Sequence, residues 1–191
     1  MVHPSAWVAS SNVRIGARTQ IGPHASVLER TVVGEGIEVG AGGVLGGVGF
    51  QTVRSSRPML EMRHAGGLVI GDHSCILPGA VLATGLFHTP TEIGAEVRIG
   101  SHAFISHAVR VGARTFIGHG AVVNGNVTIG EEVWIGPGAV IANGIKIGDG
   151  AIVSLGSVVM RDVEDGRQVS GNFAISHKRL LRAVAVAESD R

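Results

Sequence analysis

The sequence predicts an all-β chain wound as a parallel β-helix, and three observations predict it. An aliphatic residue occupies every sixth position from Ile93 to Val159, twelve in succession: Ile93, Ile99, Ile105, Val111, Ile117, Val123, Ile129, Ile135, Ile141, Ile147, Val153 and Val159. Glycine follows seven of them, at 94, 100, 112, 118, 130, 136 and 148. The composition, with 30 Gly and 16% charged residues, suits a turn-rich solenoid. Period six is neither the 3.6 of a helix nor the 2 of a lone strand; it is the hexapeptide repeat of a β-helix. Three hexapeptides close a triangular coil of 18 residues. Each aliphatic side chain points inward and stacks on its counterpart in the next coil, ~4.8 Å away. The glycines are expected to supply the backbone dihedrals that the corners need.

Taken in order, the chain starts the same period early, at Ile15, Ile21, Val27, Val33, Val39 and Leu45. Residues 1–14 are expected to cap the open end, whose strand edges would otherwise stand bare. The β-helix domain is placed at residues 1–172. It is interrupted at 46–68 by GGVGFQTVRSSRPMLEMRHAGGL, which breaks the period. That insertion is either a tolerated surface loop or an added binding surface, and Phe50 in it either stacks on a ligand or anchors the loop. The period resumes at Ile70, Ile76 and Leu82, then slips, because Leu82 to Ile93 is eleven residues rather than twelve. A bulge or short loop is expected at 83–92, around His88 and Pro90. Residues 161–172 are expected to leave the coil. The tail at 173–191 contains ISHKRLLRAVAVA, which predicts a short C-terminal helix with Leu180, Leu181 and Val184 on one face, either a cap or a contact between subunits.

Composition also excludes. A net charge of +1 gives no broad electrostatic case for nucleic acid or a membrane surface. No apolar run approaches the ~20 residues of a membrane span. The start, MVHPSAWVASSNVRIG, lacks the basic-then-apolar pattern of a secretory leader. The single cysteine, Cys75, permits no intrachain disulfide, so a reducing cytoplasm is the expected home. With no Tyr there is no phenolic acid. Cys75 is read as buried filler beside the inward Ile76 or as a nucleophile. Spacing reveals neither a Ser-His-Asp set nor a phosphate-binding P-loop, and no metal site is assigned.

Histidine is the informative class, with nine residues, three of them (His102, His107, His119) in the regular run. His107 lies two residues after the inward Ile105, which puts it near a corner facing outward. A neutral imidazole there can take a proton from a hydroxyl or amine near pH 7. The residue 18 positions on is Gly125, and the next is Asn143. The column beside them holds Ala108, Asn126 and Gly144. A base beside a glycine N–H is what acyl transfer requires: the base activates the nucleophile and the N–H stabilises the oxyanion. Asn143 and Gly144 continue a shelf with few bulky groups, suited to a thin ligand such as a pantetheine arm. His119 falls on another face and reads as structural or as a neighbour contact.

The block Ile105-Ser106-His107-Ala108 through VVNGNVTIG to IANGIKIG, with GGVGF upstream, resembles the hexapeptide acyltransferases. It is most similar to the UDP-3-O-acylglucosamine N-acyltransferases of lipid A synthesis, without their N-terminal uridine-binding domain. The HPSA start at His3 to Ala6 also resembles the sugar-nucleotide N-acetyltransferases. The resemblance implies a left-handed helix, a homotrimer with sites between subunits, His107 as general base and Gly125 as oxyanion donor. It further implies acyl-CoA or an acyl carrier protein as thioester cosubstrate and no permanently bound cofactor. The acceptor would be an amine or hydroxyl of a nucleotide-linked sugar, in surface-glycan or lipopolysaccharide synthesis. The sequence departs from the lipid A pattern at Asn143-Gly144-Ile145, where an NGH is expected, and at Ala83-Thr84-Gly85 for Asp-Arg-Gly. His88 is assigned to acceptor binding, with an exposed loop histidine as the plain reading.

Two other readings remain open. His102 and His107 have the H-x4-H spacing of two zinc ligands, as in the γ-class carbonic anhydrases that share this fold. A zinc hydratase needs a third imidazole, and the nearest upstream histidine is His64, in the irregular loop. The third reading is a non-catalytic scaffold, since fold does not fix function.

Overall fold

The computed structural model describes residues 1–49, 51–53 and 55–171. Phe50 and the helix expected in the tail at 173–191 lie outside the described residues. The chain winds as a left-handed parallel β-helix whose three faces are parallel sheets of eight, seven and eight short strands. Successive coils pair in register, as Phe104 with Val122 and Ile105 with Val123 on the first face, 18 residues apart. The inward columns are those the period predicts. Leu45, Leu82, Ile105, Val123 and Ile141 fill the first face, Val33, Ile70, Ile93, Val111 and Ile129 the second, and Val39, Ile76, Ile99, Ile117 and Ile135 the third; all are buried. Burying each such side chain stabilises by roughly 1.5–3 kcal/mol. The residue two before each is buried as well and is small on the first face: Ala80, Ala103, Ala121, Ala139. These smaller side chains fit where the chain bends toward the corner.

The glycines work differently from expectation. Those following the aliphatic residues do not have positive φ. They are required by close approach: a β-carbon at Gly112 would lie 2.4 Å from the Gly130 backbone. The left-handed corner position comes two residues later. It is occupied by Glu96, His102, Ala108, Arg114 and Asn126 as well as by Gly120, Gly138 and Gly144.

The ends also differ. Residues 1–14 are not a separate cap. Trp7–Val8 and Val13–Ile15 pair with the strands one coil on, so the segment is itself the first coil. Residues 161–171 do not leave the helix at once. Val163 bridges Ile147 and Gln168–Val169 pairs with Ile152–Val153. This last coil is shortened, which is why the six-residue spacing fails while the winding continues.

Two insertions interrupt the coils. The first carries an antiparallel hairpin, Thr52–Val53 against Leu60–Glu61. Its return is stitched down by Gly66 N–H to Gly85 O (3.0 Å) and Gly85 N–H to Gly67 O (3.0 Å). Arg30 also donates to the Ala65 carbonyl at 3.2 Å. The second explains the slip after Leu82. Leu82 pairs with Ile105 and Ile70 with Ile93, 23 positions apart rather than 18. The chain therefore holds one hexapeptide plus an excursion over 84–90, not two hexapeptides short of a residue. Both insertions emerge at the His107 corner and reshape it.

Candidate active site

His107 occupies the turn between Phe104–Ile105 and Arg110–Val111. That turn is clamped by Thr91, whose buried Oγ1 accepts the Ala108 N–H at 3.0 Å and donates to the Ser106 carbonyl at 3.5 Å. The clamp holds Ala108 in the left-handed region, φ 53°. On one side of the ring, Nδ1 is 3.2 Å from Ser106 Oγ. On the other, Nε2 sits over Gly125, where a β-carbon would lie 2.3 Å from it.

The expected outward-facing histidine is therefore at its corner but not open. His107 is only 6% exposed, because the first insertion folds over it. His64, also 6% exposed, packs against it edge to face, with ring centroids 5.5 Å apart and planes at 88°. Burial is the larger influence on the His107 pKa, with the His64 charge next, and both push it below the ordinary imidazole value. An imidazole held neutral in this way is able to accept a proton at neutral pH.

Gly125 is buried, and its carbonyl accepts the Gly144 N–H at 3.0 Å. Its own N–H has no hydrogen-bond partner among the described residues. Equivalent turn N–H groups show where it is aimed. Glu131 N–H donates to Asp149 Oδ1 at 2.8 Å and Asp149 N–H to Asp165 Oδ1 at 3.1 Å, each one coil on. This position of the coil thus binds carboxylate oxygens elsewhere in the same chain. At Gly125 the residue one coil on is Asn143, which is exposed, so the N–H opens onto the shelf. Gly144 there has φ 72° and open space where a side chain would project.

The other sequence candidates are dispersed. His88 is exposed at the second insertion, and no hydrogen bond or ring contact joins it to His107. His102 lies at the preceding corner, its ring against Gly79, so the H-x4-H pair does not converge within one chain. No group of three metal-ligating side chains occurs among the described residues. His119 Nδ1 accepts the Ser101 N–H at 2.9 Å, a structural bond. Cys75 is not core filler. It faces out in the ladder between Glu38 and Arg98, and burial, then Glu38, pushes its thiol up, the wrong direction for a nucleophile. Sequence reading missed the roles of Thr91, Ser106 and Thr84 and noted His64 only as the nearest upstream histidine where a zinc site would need a third ligand. The insertions break the coil arithmetic, so no spacing rule could bring His64 to His107.

Comparison with known proteins agrees with this architecture. Residues 90–125 and 126–161 match the family model described as bacterial transferase hexapeptide (six repeats). Over 90 residues the chain is 33% identical to the UDP-3-O-acylglucosamine N-acyltransferase of Maricaulis maris, covering 47% of this chain and 26% of that protein. The chain thus spans about a quarter of the curated relative it matches. Among solved structures it is similar to LpxA from Acinetobacter baumannii, with TM-score 0.76, 24% identity, and 96% and 75% of the two chains covered. It is similarly close to the UDP-N-acetylglucosamine acyltransferase of Francisella novicida, with TM-score 0.76, 20% identity, and 95% and 71% covered. At these identities the structural likeness establishes the fold.

Proposed function

We propose that this chain, whose residues 90–161 carry the hexapeptide repeats of bacterial transferases, is an acyltransferase. It moves an acyl group from a thioester to a hydroxyl or amine of a sugar, in a nucleotide-linked form. The observation that carries the reading is His107 Nε2 set over Gly125, whose N–H is unbonded among the described residues and aimed onto an open shelf. The names borne by the similar proteins, acyltransferases of UDP-sugars, agree with it.

In this reading the thioester lies along the shelf formed by Gly125, Asn143 and Gly144, its carbonyl oxygen toward the Gly125 N–H. The acceptor O–H or N–H gives its proton to His107 Nε2 as the acceptor attacks the carbonyl carbon. The tetrahedral oxyanion is held by the Gly125 N–H, a kind of donor worth ~2.7–4 kcal/mol in the transition state. Collapse breaks the C–S bond, and the His107 imidazolium returns the proton to the departing thiolate. The products are the acylated sugar and a free thiol. Acyl-CoA or acyl carrier protein supplies the thioester, and no metal or bound cofactor takes part. The working form is a homotrimer in the cytoplasm, with His88 and the two insertions on the acceptor side. No helix among the described residues is long and apolar enough to cross a membrane.

The test is direct. Melting curves are recorded with coenzyme A, acetyl-CoA, acyl carrier protein and zinc in turn. A ligand at ~100 times its dissociation constant adds ~2.7 kcal/mol. Stabilisation by a thioester carrier, followed by acyl transfer that His107→Ala abolishes, supports the reading. Stabilisation by zinc alone, with turnover that does not need His107, overturns it.

A further inference from the structure

Among the described residues, Ser106 is the one coil side chain within hydrogen-bond distance of His107, and the next residue, Ala108, has no polar side chain. A second polar group comes from the first insertion. His64 Nδ1 is 3.0 Å from the Thr84 carbonyl. A carbonyl can only accept, so Nδ1 carries the proton, and in the neutral ring Nε2 carries the lone pair. That Nε2 is buried and has no hydrogen-bond partner among the described residues. Thr84 is itself fixed, its N–H donating to Gly47 O at 2.9 Å and its hydroxyl to the same oxygen at 3.4 Å. The tautomer of His64 is therefore set by the fold.

The bare nitrogen borders a specific place. At Gly49 a β-carbon would lie 2.7 Å from His64 Cε1, 3.3 Å from His64 Nε2 and 3.6 Å from His107 Nδ1. The close contact that only a glycine permits here thus has His64 Nε2 on one side and the Nδ1 edge of His107 on the other. It lies away from Gly125, where His107 Nε2 meets the shelf. An unsatisfied acceptor buried beside a base is destabilising unless something at the site uses it.

We propose that His64 is a positioning residue for His107, its Nε2 lone pair favouring the His107 tautomer protonated on Nδ1 and so leaving Nε2 bare toward Gly125. The inference rests on the reading of His107 as the base. It makes the first insertion part of the machinery: without the loop folded down on Gly85 and Thr84, the coil alone does not fix which ring nitrogen is the base. The role of the His64 lone pair is electrostatic, delivered directly past Gly49, with Ser106 Oγ completing the Nδ1 surroundings. A wrong tautomer at a catalytic histidine leaves geometry intact and removes rate.

The experiment uses the full chain labelled with 15N-histidine, the His107 signals being identified by their loss in His107→Ala. Wild type is expected to show His107 protonated on Nδ1 with Nε2 bare. His64→Phe preserves ring packing and removes the acceptor. It should give a mixture of the two tautomers and lower kcat about 10-fold or more, with KM changed less than about twofold. His64→Gln, which restores an acceptor oxygen, should recover the Nδ1-protonated form and part of kcat. Protonation of wild-type His107 on Nε2 overturns the proposal, as does a wild-type tautomer in His64→Phe. If His64→Phe does not fold, the wild-type and Gln spectra decide, and a Gln variant that loses the Nδ1 proton counts against it. The tautomer is read without substrate. The expected spectra in a protein that transfers no acyl group would therefore sink the acyltransferase reading alone.

Discussion

Gly125 stands one coil beyond His107 with its Cα beneath the imidazole, so that a β-carbon there would come within 2.3 Å of Nε2 and 2.4 Å of Cε1. The glycine is present because the ring is, and φ at 125 is not in the left-handed region. Gly125→Ala therefore has to displace the ring of His107 from the shelf. Overpacking of this kind costs ~1–3 kcal/mol, and mispositioning the proposed base and oxyanion donor together should lower kcat ~100-fold or more. Melting curves and steady-state rates measure the two effects, and a variant with normal rates would mean that Nε2 is not the reacting nitrogen.

His107→Ala removes the proposed base but leaves the Thr91 clamp and the Gly125 N–H in place. Turnover should fall ~10²- to 10⁴-fold, with the circular dichroism spectrum and gel-filtration volume unchanged. Retained turnover would pass the role of base to another group.

The pH profile follows from burial. The His107 pKa is lowered, first by burial and then by the neighbouring His64, so the acid limb of kcat/KM should fall below the ordinary imidazole value of ~6.5. The sign for stability is the same. The folded state holds the neutral ring and the unfolded chain binds the proton more readily. The contribution is then complete above the unfolded pKa and is lost as pH falls through the folded one. Melting temperature against pH should be flatter on the acid side for His107→Ala than for wild type.

Most of the fold was legible in the sequence because every coil repeats the same physical demand. Ile99, Ile117 and Ile135 must each fill the same inward slot, so period six survives as a pattern. The His107–Gly125 relation was legible for the same reason, since both lie in the uninterrupted run. What was hidden sits where the run breaks. The insertions change the pairing distance to 37 between Leu45 and Leu82 and to 23 between Leu82 and Ile105, and His64 reaches His107 through a hairpin return that no period describes. The role of the repeat glycines was also misread. A residue such as Gly112 is conspicuous in sequence, but only coordinates separate a need for positive φ from a need for close contact.

Two glycines test that last distinction. Gly112 has no positive φ, and its β-carbon would lie 2.4 Å from the backbone of Gly130. Backbone cannot step aside as a side chain can, so Gly112→Ala must spread two coils that share a hydrogen-bonded ladder. Gly144 has φ 72° and nothing within 4 Å of its would-be β-carbon, so Gly144→Ala meets only the left-handed backbone penalty of ~1–2 kcal/mol, partly offset by a less flexible unfolded chain. Gly112→Ala should therefore lower the melting temperature the more. Equal losses would mean that the coils yield readily at the Gly112 contact.

The Thr91 clamp offers the sharpest separation of stability from catalysis. Among the described residues its hydroxyl is the only partner of the Ala108 N–H, and it also reaches the Ser106 carbonyl. Thr91→Val keeps the shape and removes both bonds, leaving a buried N–H without an acceptor at a cost of ~1–3 kcal/mol. The same substitution at Thr115, which makes the matching pair of bonds to Val133 N–H and Gly130 O, should cost a similar amount of stability. Thr115 clamps a corner outside the proposed site, however, so kcat should fall only for Thr91→Val. Parallel melting and rate measurements on the two variants compare one chemical change at two corners. A loss of rate in both would show that the site responds to general softening of the coil; a loss confined to Thr91→Val ties the rate to the conformation of the turn that carries His107.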